Sequence, residues 1–232
     1  MRGTSLMLRG RSGATRRTPS SMSWRMVSGR MSDSLGRGVT TNKDARAGAS
    51  IPRMHDDEAW IGSKPVHDAP ITLAEYDPAW PALYEREAER IRSLLGQRVR
   101  QLEHVGSTSV PGLAAKPIID ILLVVADPAD EAAYVPALEA GGYILRIREP
   151  DWHEHRMFKG PDTDVNLHVH GPGSSEIRRM VGFRDRLRTH PEERNCYAAA
   201  KRELAARRWR YVQDYADAKT KVVEGILARL SG

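Results

Sequence analysis

The longest apolar run of the chain, residues 118–126, is interrupted by a single acidic residue, Asp120. The run has the length of a strand, and its Ile, Leu and Val side chains are typical of a strand that is buried on both faces of a sheet. A buried charge without a partner costs several kcal/mol, so we expect Asp120 to reach a metal ion, another cation or water. The alternative is a structural aspartate that caps the neighbouring loop or pairs with an arginine.

Strands come before helices along the rest of the chain. Apolar or alternating stretches predict extended segments at 99–104, 118–125, 143–148, 153–159 and 164–170. Capping residues, prolines and apolar stripes predict helices at 78–95, 130–140, 174–190, 191–207 and 210–230. This order predicts an α+β fold, in which helices pack on a mixed β-sheet and the C-terminal part is helical.

The first 65 residues differ from the rest in composition. Residues 1–64 carry a formal charge of +7, whereas residues 65–232 carry −1. The first segment is rich in Arg, Ser and Gly and poor in aliphatic residues, so it cannot bury enough apolar surface to offset its ordering entropy. We predict a disordered basic tail over residues 1–65 and a folded domain over residues 68–232. The nearly neutral domain argues against nucleic acid as a partner, although the tail leaves weak, salt-dependent attachment open.

Cysteine content and apolar run length limit where the protein works. Cys196 is the single cysteine, which excludes an internal disulfide and a zinc cage built from cysteines. No stretch approaches the roughly 18 apolar residues that a membrane helix needs, and the N-terminal segment lacks the apolar region of a secretory signal. These features predict a cytoplasmic protein without a membrane partner, and they leave the oligomeric state open.

A loop rich in glycine and hydroxyl side chains lies between the strands at 99–104 and 118–125. Gly106 allows a close approach of the backbone to a ligand, and successive amides in a tight turn form an anion-binding concavity. Further hydrogen-bond donors come from three consecutive residues, Ser107, Thr108 and Ser109. Lys116 adds a positive charge shortly before Asp120. The loop therefore predicts a binding site for phosphate groups beside the carboxylate.

The stretch EHVGSTSVPGLAAKPIIDI, residues 103–121, resembles the nucleotidyltransferase superfamily, in which a Gly-Ser pair ends one strand and acidic residues lie on the next. Within that superfamily the chain resembles the GrpB family over about residues 70–230, including NLHV at 166–169 and FRD at 183–185. The resemblance implies an enzyme that binds a nucleoside triphosphate and a divalent metal, Mg²⁺ or Mn²⁺. It assigns the metal to Asp120 and the triphosphate to Lys116 and the loop.

The chain departs from active transferases at the second acid. Polymerase-like transferases place two carboxylates two residues apart on one strand, but positions 118 and 122 are Ile and Leu here. On the segment 164–170, Asp164, Asn166, His168 and His170 share one face by alternation. We predict a metal site of Asp120 and His168, with His104 as a further catalytic candidate. Imidazole favours zinc, iron or manganese over magnesium. The alternative is that His168 is a structural histidine of the core.

Three arginines are candidates for phosphate binding. Arg156 lies on a predicted strand, and its forked guanidinium suits a phosphate, although a solvated face explains it equally well. Arg184 and Arg188 are four residues apart and share one side of a helix. They either bind the triphosphate or form salt bridges that hold the helix to the sheet. Lys201 and Lys219 are further cationic candidates with weaker claims.

Two classes of function remain open. The loop and Asp120 favour a nucleotidyltransferase-type enzyme that acts on a small-molecule substrate, whose acceptor the sequence leaves unidentified. The missing second acid favours a non-catalytic module that binds a nucleotide or metabolite. The resemblance also implies an accessory role, because GrpB-like domains occur joined to dephospho-CoA kinase domains. The chain itself contains no GxxxxGK[ST] phosphate-binding loop, so it has no kinase motif of its own.

Overall fold

The computed structural model describes residues 59–230. The strands in this range are β1 (Ala69–Pro70), β2 (Gln101–Val105), β3 (Ile119–Val124), β4 (Ile144–Glu149), β5 (His155–Lys159), β6 (Val165–His170) and β7 (Arg208–Trp209). The helices are α1 (Trp80–Leu95), α2 (Val135–Ala140), α3 (Ser175–Thr189), α4 (Pro191–Ala205), α5 (Val212–Ala218) and α6 (Thr220–Leu227). The predicted α+β class is confirmed.

Five of the strands form one mixed sheet in the order β2-β3-β6-β5-β4. Strands β3 and β6 are parallel, and the other neighbouring pairs are antiparallel. All six residues of β3 and all six of β6 are buried, as the long apolar run predicts for a central strand. The two strands that carry Asp120 and His168 are therefore direct neighbours.

Helix α1 covers one face of the sheet because its apolar residues recur at helical spacing. Its buried positions are Trp80, Tyr84, Glu87, Ala88, Ile91 and Leu95. They pack with Ile119, Ile121 and Leu123 of β3 in the main hydrophobic core. Each large aliphatic side chain buried there contributes about 1.5–3 kcal/mol, so this face carries much of the stability of the fold.

The opposite face of the sheet is polar where it is not covered by α3. Asp120 pairs in register with Asn166, and His168 pairs with Met157, so these side chains emerge on the same face. Met180 of α3 packs on part of that face, against apolar residues of β2 and β3. The C-terminal helices lie over the glycine-serine loop, residues 106–117, beside the rest of that face.

The C-terminal segment differs from the single helix predicted at 210–230. Residues 208–209 form β7, which pairs antiparallel with β1, and the helix then breaks into α5 and α6 at Lys219. At the break, the Lys219 amide donates to the Ala216 carbonyl, three residues back, which tightens the last turn of α5. No glycine or proline marks this position, so the sequence pattern missed the break.

Two smaller predictions are also wrong. The segment at 130–140 begins with a 3₁₀ turn, Glu131–Ala133, and becomes helical only at Val135, because Asp130 makes no side-chain cap. The strand predicted at 153–159 begins at His155, because His153 and Glu154 adopt φ values of 54° and 51° in a turn.

Most of the predicted disordered tail lies outside the described residues. Its last part, from residue 59 onward, is described, and there Trp60 forms an isolated antiparallel bridge to Ile147 of β4. The Ile61 amide also donates to the Arg146 carbonyl at 2.9 Å. Residues 60 and 61 therefore lie on the edge of the main sheet, beside β4. Within residues 59–230, no helix combines the length and apolarity needed to cross a membrane.

Candidate functional site

The glycine-serine loop joins β2 to β3 and begins directly beside Asp120. Val105, the last residue of β2, pairs with Asp120 across the sheet, so the chain turns away next to the carboxylate. Gly106 makes this turn with φ of 69° and ψ of −172°, a conformation essentially restricted to glycine. A Cβ atom here would lie 2.9 Å from both Cβ and Cγ of Asp120. The close approach of Asp120 therefore requires glycine at this position.

Two of the three hydroxyl side chains in the loop stabilise the loop itself. Ser109 Oγ donates to the Gly106 carbonyl at 2.6 Å, and Thr108 Oγ1 donates to the Ile118 carbonyl at 3.0 Å. These bonds hold the 3₁₀ turn at residues 107–109 against the start of β3. Ser107 and Thr108 both line a cavity, but the Ser107 hydroxyl contacts Lys201 Nζ at 3.1 Å and not the loop backbone. It is therefore the hydroxyl best placed to meet a ligand.

This cavity lies between the glycine-serine loop and the C-terminal helices, and we call it the lysine cavity. Its polar lining consists of Ser107, Thr108, Lys116, Asp120, Lys201 and Lys219. Lys201 Nζ donates to Ser107 Oγ at 3.1 Å and to the Ala114 carbonyl at 2.5 Å. The volume is about 20 Å³, which is room for about one water molecule. Three cationic side chains thus meet one carboxylate in a confined space.

Burial weakens the positive charge of all three lysines. Loss of water, and secondarily the charge of Lys159, lower the pKa of Lys116 to about 8. Burial, with a small contribution from Arg202, lowers the pKa of Lys201 to about 7. Burial and repulsion from the other two lysines hold the pKa of Lys219 well below its usual range. An anion in the cavity would reverse these shifts, because it would stabilise the charged form of each amine.

Asp120 faces this cavity and is not paired with an arginine. Its carboxylate is almost fully buried, and Asn166 Nδ2 donates to its Oδ1 at 2.8 Å. His168 Nε2 lies 3.9 Å from the same oxygen, which is too far for a hydrogen bond. The predicted shared face of Asn166, His168 and His170 is therefore present in the structure, next to Asp120. The alternative considered above, an ion pair between Asp120 and an arginine, is not formed in the described residues.

Histidines form a buried layer beyond Asp120. Glu149 Oε2 lies 2.7 Å from His155 Nδ1, and His155 Nε2 lies 3.1 Å from His168 Nδ1. His170 stacks on His155 with ring centroids 4.8 Å apart, and Trp152 packs edge-on against both rings. Burial, and then the neighbouring histidines, hold the pKa of His170 well below its usual range. The layer connects the far edge strand β4 to the neighbourhood of Asp120.

Arg184 and Arg188 hold α3 and the loop in place. Arg184 donates to the Glu103 carboxylate at 2.8 Å and to the His104 carbonyl at 3.0 Å, which joins α3 to β2. Arg188 donates through Nε and Nη2 to the Ser109 carbonyl, at 3.0 and 2.8 Å. Neither side chain lines the lysine cavity. Of the two roles considered for this pair, the structure shows the salt bridges and loop contacts.

Arg156 and His104 lie on the face of the sheet opposite Asp120. Arg156 Nε donates to Glu131 Oε1 at 2.6 Å, so its guanidinium is neither solvated nor near the glycine-serine loop. The His104 ring stacks on Tyr84 of α1 at 4.8 Å, and burial lowers its pKa to about 4. His104 reaches the loop only through Thr108 Oγ1, at 3.1 Å. Strand alternation places both side chains on the face of the sheet opposite Asp120.

The described residues contain no group of three or more His, Cys, Asp or Glu side chains arranged to hold a metal ion. Asp120 and His168, the two predicted ligands, are nevertheless neighbours, and His168 Nε2 is a buried atom without a hydrogen-bond partner in this part of the chain. A metal at this position would thus have two protein ligands and would take its other ligands from water or a bound substrate.

Comparison with known proteins matches most of this chain to one family. The family described as GrpB protein matches residues 70–229. The chain belongs to the GrpB family. A UPF0157 protein of Halalkalibacterium halodurans is 62% identical over 182 residues, which covers 78% of this chain and 93% of the relative. The crystal structure of the conserved protein GrpB from Enterococcus faecalis is 30% identical, with a TM-score of 0.60 over 69% of this chain and 100% of that chain.

Another relative of this GrpB-family chain is larger. A protein named dephospho-CoA kinase, from Mycolicibacterium paratuberculosis, is 28% identical over 183 residues. The match covers 68% of this chain but 44% of that protein. The GrpB-like region is therefore one part of a longer chain in that relative.

Sequence reasoning underrated two residues of the site and missed a third in this GrpB-family chain. Lys201 and Lys219 had weaker claims than the arginines, yet both line the cavity with Asp120. The sequence did contain a signal for Lys201. It lies on the buried stripe of a helix, and lysine is rarely found at such a position. Glu149 carried no signal, because its contact with His155 depends on the turn between β4 and β5.

Proposed function

We propose that this protein is a nucleotidyltransferase-type enzyme that binds a nucleoside triphosphate and a divalent metal ion, with the triphosphate in the lysine cavity. One observation carries the proposal: Asp120, Ser107 and three lysines line the same cavity beneath the glycine-serine loop. A cavity lined by three lysines favours a polyanionic ligand, because an anion stabilises the charged form of each amine. The adjacent loop, which resembles the Gly-Ser turn of the superfamily, supports phosphate as the anion.

The chemistry asks little of the protein beyond positioning and charge. In phosphoryl and nucleotidyl transfer, catalysis comes mainly from holding the reacting groups in line and stabilising the charge on the phosphate oxygens. Lys116, Lys201 and Lys219 would bind these oxygens, and a bound anion would raise the lowered pKa of each amine and so favour its charged form. Ser107 Oγ would donate a further hydrogen bond. Asp120 and His168 would hold the metal, which supplies Lewis-acid charge neutralisation when bound.

Binding of a triphosphate requires the cavity to widen. Its volume of about 20 Å³ is close to that of a single water molecule, far below that of a nucleotide. The walls that can separate are the loop on one side and the C-terminal helices on the other. The break between α5 and α6 lies at Lys219, inside the cavity wall, so a change of angle there would move a cation relative to the loop.

A second candidate, a nucleotide- or metabolite-binding module without catalysis, is favoured by a different observation. Strand β3 carries one carboxylate, and the residues two positions away from Asp120 are Ile118 and Leu122. Two-metal transfer needs paired carboxylates to hold both ions. The similarity to part of a dephospho-CoA kinase is compatible with such an accessory role.

Turnover separates the two candidates. The purified full-length chain is incubated with each labelled nucleoside triphosphate and Mg²⁺ or Mn²⁺, and pyrophosphate release and bound nucleotide are measured. The enzyme predicts pyrophosphate release that disappears in Asp120→Ala, while the matched variant of an exposed aspartate, Asp151→Ala, keeps it. The module predicts tight binding without release.

Binding is tested separately through the lysines. Lys201→Met removes one cation from the cavity and should weaken triphosphate affinity at least about 10-fold, because a buried charge–phosphate contact is worth more than about 1.4 kcal/mol. Lys221→Met, a lysine of α6 outside the cavity, is the control. Absence of binding to every triphosphate, with and without metal, would refute both candidates.

A further inference from the structure

A line of buried polar side chains runs from β4 across β5 and β6 and ends at Asp120 on β3. It runs from Glu149 on β4 to His155 on β5 and His168 on β6, with contacts of 2.7 Å and 3.1 Å. The last separation, from His168 Nε2 to Asp120 Oδ1, is 3.9 Å. Each of these four side chains is at least 94% buried. The first two contacts are hydrogen bonds and the third is a gap.

The hydrogen-bond directions determine which atom of His168 carries a proton. The Glu149 carboxylate only accepts, so His155 Nδ1 carries the proton that it donates. A neutral His155 then has an unprotonated Nε2, which accepts a hydrogen bond from His168 Nδ1. A neutral His168 with its proton on Nδ1 presents the lone pair of Nε2 toward Asp120. With both imidazoles neutral, the contacts of His155 with Glu149 and His168 place the proton of His168 on Nδ1.

Two electron-pair donors therefore face each other across the gap. His168 Nε2 has no hydrogen-bond partner within residues 59–230, and neither has Asn166 Oδ1, from the side chain that hydrogen-bonds Asp120. Buried acceptors without partners are rare and costly, and two of them beside a carboxylate favour a cation as the ligand at this position. Metal bonds to histidine nitrogen and to carboxylate oxygen are about 2.0–2.2 Å long, so two such bonds can span the 3.9 Å separation.

We propose that His168 Nε2 and Asp120 Oδ1 together bind one divalent transition-metal ion of the manganese or zinc class, and that Glu149 and His155 position His168 for it. The inference rests on the proposed function for a metal at Asp120, and it names the class of that metal. An imidazole ligand selects against magnesium, which prefers oxygen. A histidine ligand whose other nitrogen is held by a hydrogen-bonded partner is the usual arrangement in metal proteins.

Asp120 belongs to both places, because its side chain also lines the lysine cavity, whereas His168 does not line it. Two protein ligands are too few for a structural metal and are compatible with an ion that also binds phosphate oxygens. The three lysines and the ion would then contact the same anion from two sides.

Metal titration without nucleotide tests the proposal. The metal-free full-length chain is titrated with Mn²⁺ and with Mg²⁺ in a calorimeter. We expect Mn²⁺ to bind at least about 10-fold more tightly than Mg²⁺. His168→Asn should abolish this binding, and Glu149→Gln, which keeps the size but removes the charge, should weaken it about 10–100-fold. Equal affinity for the two ions, or unchanged Mn²⁺ binding in His168→Asn, overturns the proposal.

His170→Asn is the matched control. It removes a buried imidazole of the same layer, stacked on His155, but leaves the line from Glu149 to Asp120 intact. Mn²⁺ affinity should stay within about threefold of that of the unaltered chain, which is less than 1 kcal/mol. A loss as large as that of His168→Asn would assign the effect to packing of the layer and overturn the proposal.

A measurement on the unaltered chain avoids variants that fail to fold. Nitrogen-15 NMR of the histidine side chains distinguishes protonated from unprotonated ring nitrogens, and His168 should show an unprotonated Nε2 that shifts when Zn²⁺ is added. A proton on Nε2 would overturn the proposal. Triphosphate binding is measured in parallel, once with Mn²⁺ and once with a chelator. Triphosphate binding in a chain that does not bind Mn²⁺ rejects the metal site alone. Mn²⁺ binding in a chain that binds no triphosphate under either condition rejects the proposed function alone.

Discussion

Replacing Gly106 with alanine should be among the more damaging single changes in this fold, for two separable reasons. The backbone conformation of residue 106 is essentially restricted to glycine, and a side chain there costs about 1–3 kcal/mol in strain. The new Cβ would also lie 2.9 Å from Cβ and Cγ of Asp120, so that side chain must move. Moving it breaks the 2.8 Å bond from Asn166, which for a buried charged acceptor costs about 1.5–3 kcal/mol more.

Gly112→Ala isolates the second contribution. Gly112 also has a positive φ, 75°, but a Cβ there meets nothing within 4 Å. Both variants place alanine at a positive φ, and only Gly106→Ala disturbs Asp120. Urea unfolding should therefore show Gly106→Ala to be less stable than Gly112→Ala by about 1.5–3 kcal/mol, and its Tm should be lower by roughly 3–12 °C.

A double-mutant cycle tests the same reasoning directly. In an Asp120→Ala background the hydrogen bond to Asn166 is already lost, so Gly106→Ala should cost about 1.5–3 kcal/mol less than it does in the unaltered chain. Equal stability of Gly106→Ala and Gly112→Ala, or additive effects in the cycle, would show that the position of the Asp120 carboxylate does not depend on the absence of a side chain at residue 106.

Three further outcomes are expected. Burial lowers the pKa of Lys201 to about 7, so between about pH 7 and 10.5 the unfolded chain binds a proton that the native state has released. The free energy of unfolding should therefore rise with pH in this range. Lys201→Met should reduce the slope by up to about 1.4 kcal/mol per pH unit, measured by urea unfolding at pH 7.5 and 9. Tyr143→Phe removes the hydroxyl that donates to the buried Glu87 at 2.8 Å and should lower the free energy of unfolding by about 1–3 kcal/mol, measured by thermal unfolding. Tyr215→Phe is the control, because that hydroxyl has no partner in the described range, and it should cost less than about 0.5 kcal/mol. Arg188→Ala removes both bonds that clamp the loop and should destabilise the protein by about 1–2 kcal/mol and weaken triphosphate binding, measured by calorimetry; unchanged values for both would contradict its positioning role.

The sequence predicted the sheet well because its signals are local. The apolar run at 118–126 became the buried strand β3, and alternation correctly put Asn166, His168 and His170 on one face of β6. The sequence did not specify the parallel pairing of β3 with β6, which joins Asp120 to that face. Pairing depends on the whole chain, and a strand pattern does not specify its neighbour.

The prediction of the site was less accurate for long side chains, whose partners depend on distant parts of the chain. Arg156, Arg184 and Arg188 each had the right chemistry for phosphate, but they contact Glu131, Glu103 and the Ser109 carbonyl in the structure. The sequence contains no signal for such contacts, because the residues involved are 25 to 81 positions apart. Lys219 was underrated for a related reason: its inward direction depends on the unmarked helix break.

The pairing of β1 with β7 has a consequence for how the protein is made. Ala69 and Trp209 are partners in that small sheet although nearly the whole domain separates them along the chain. During synthesis the first of these strands leaves the ribosome long before the second exists, so it must wait without its partner. Contacts between such distant segments slow folding, and we expect the junction of β1 and β7 to be the last part of the domain to close.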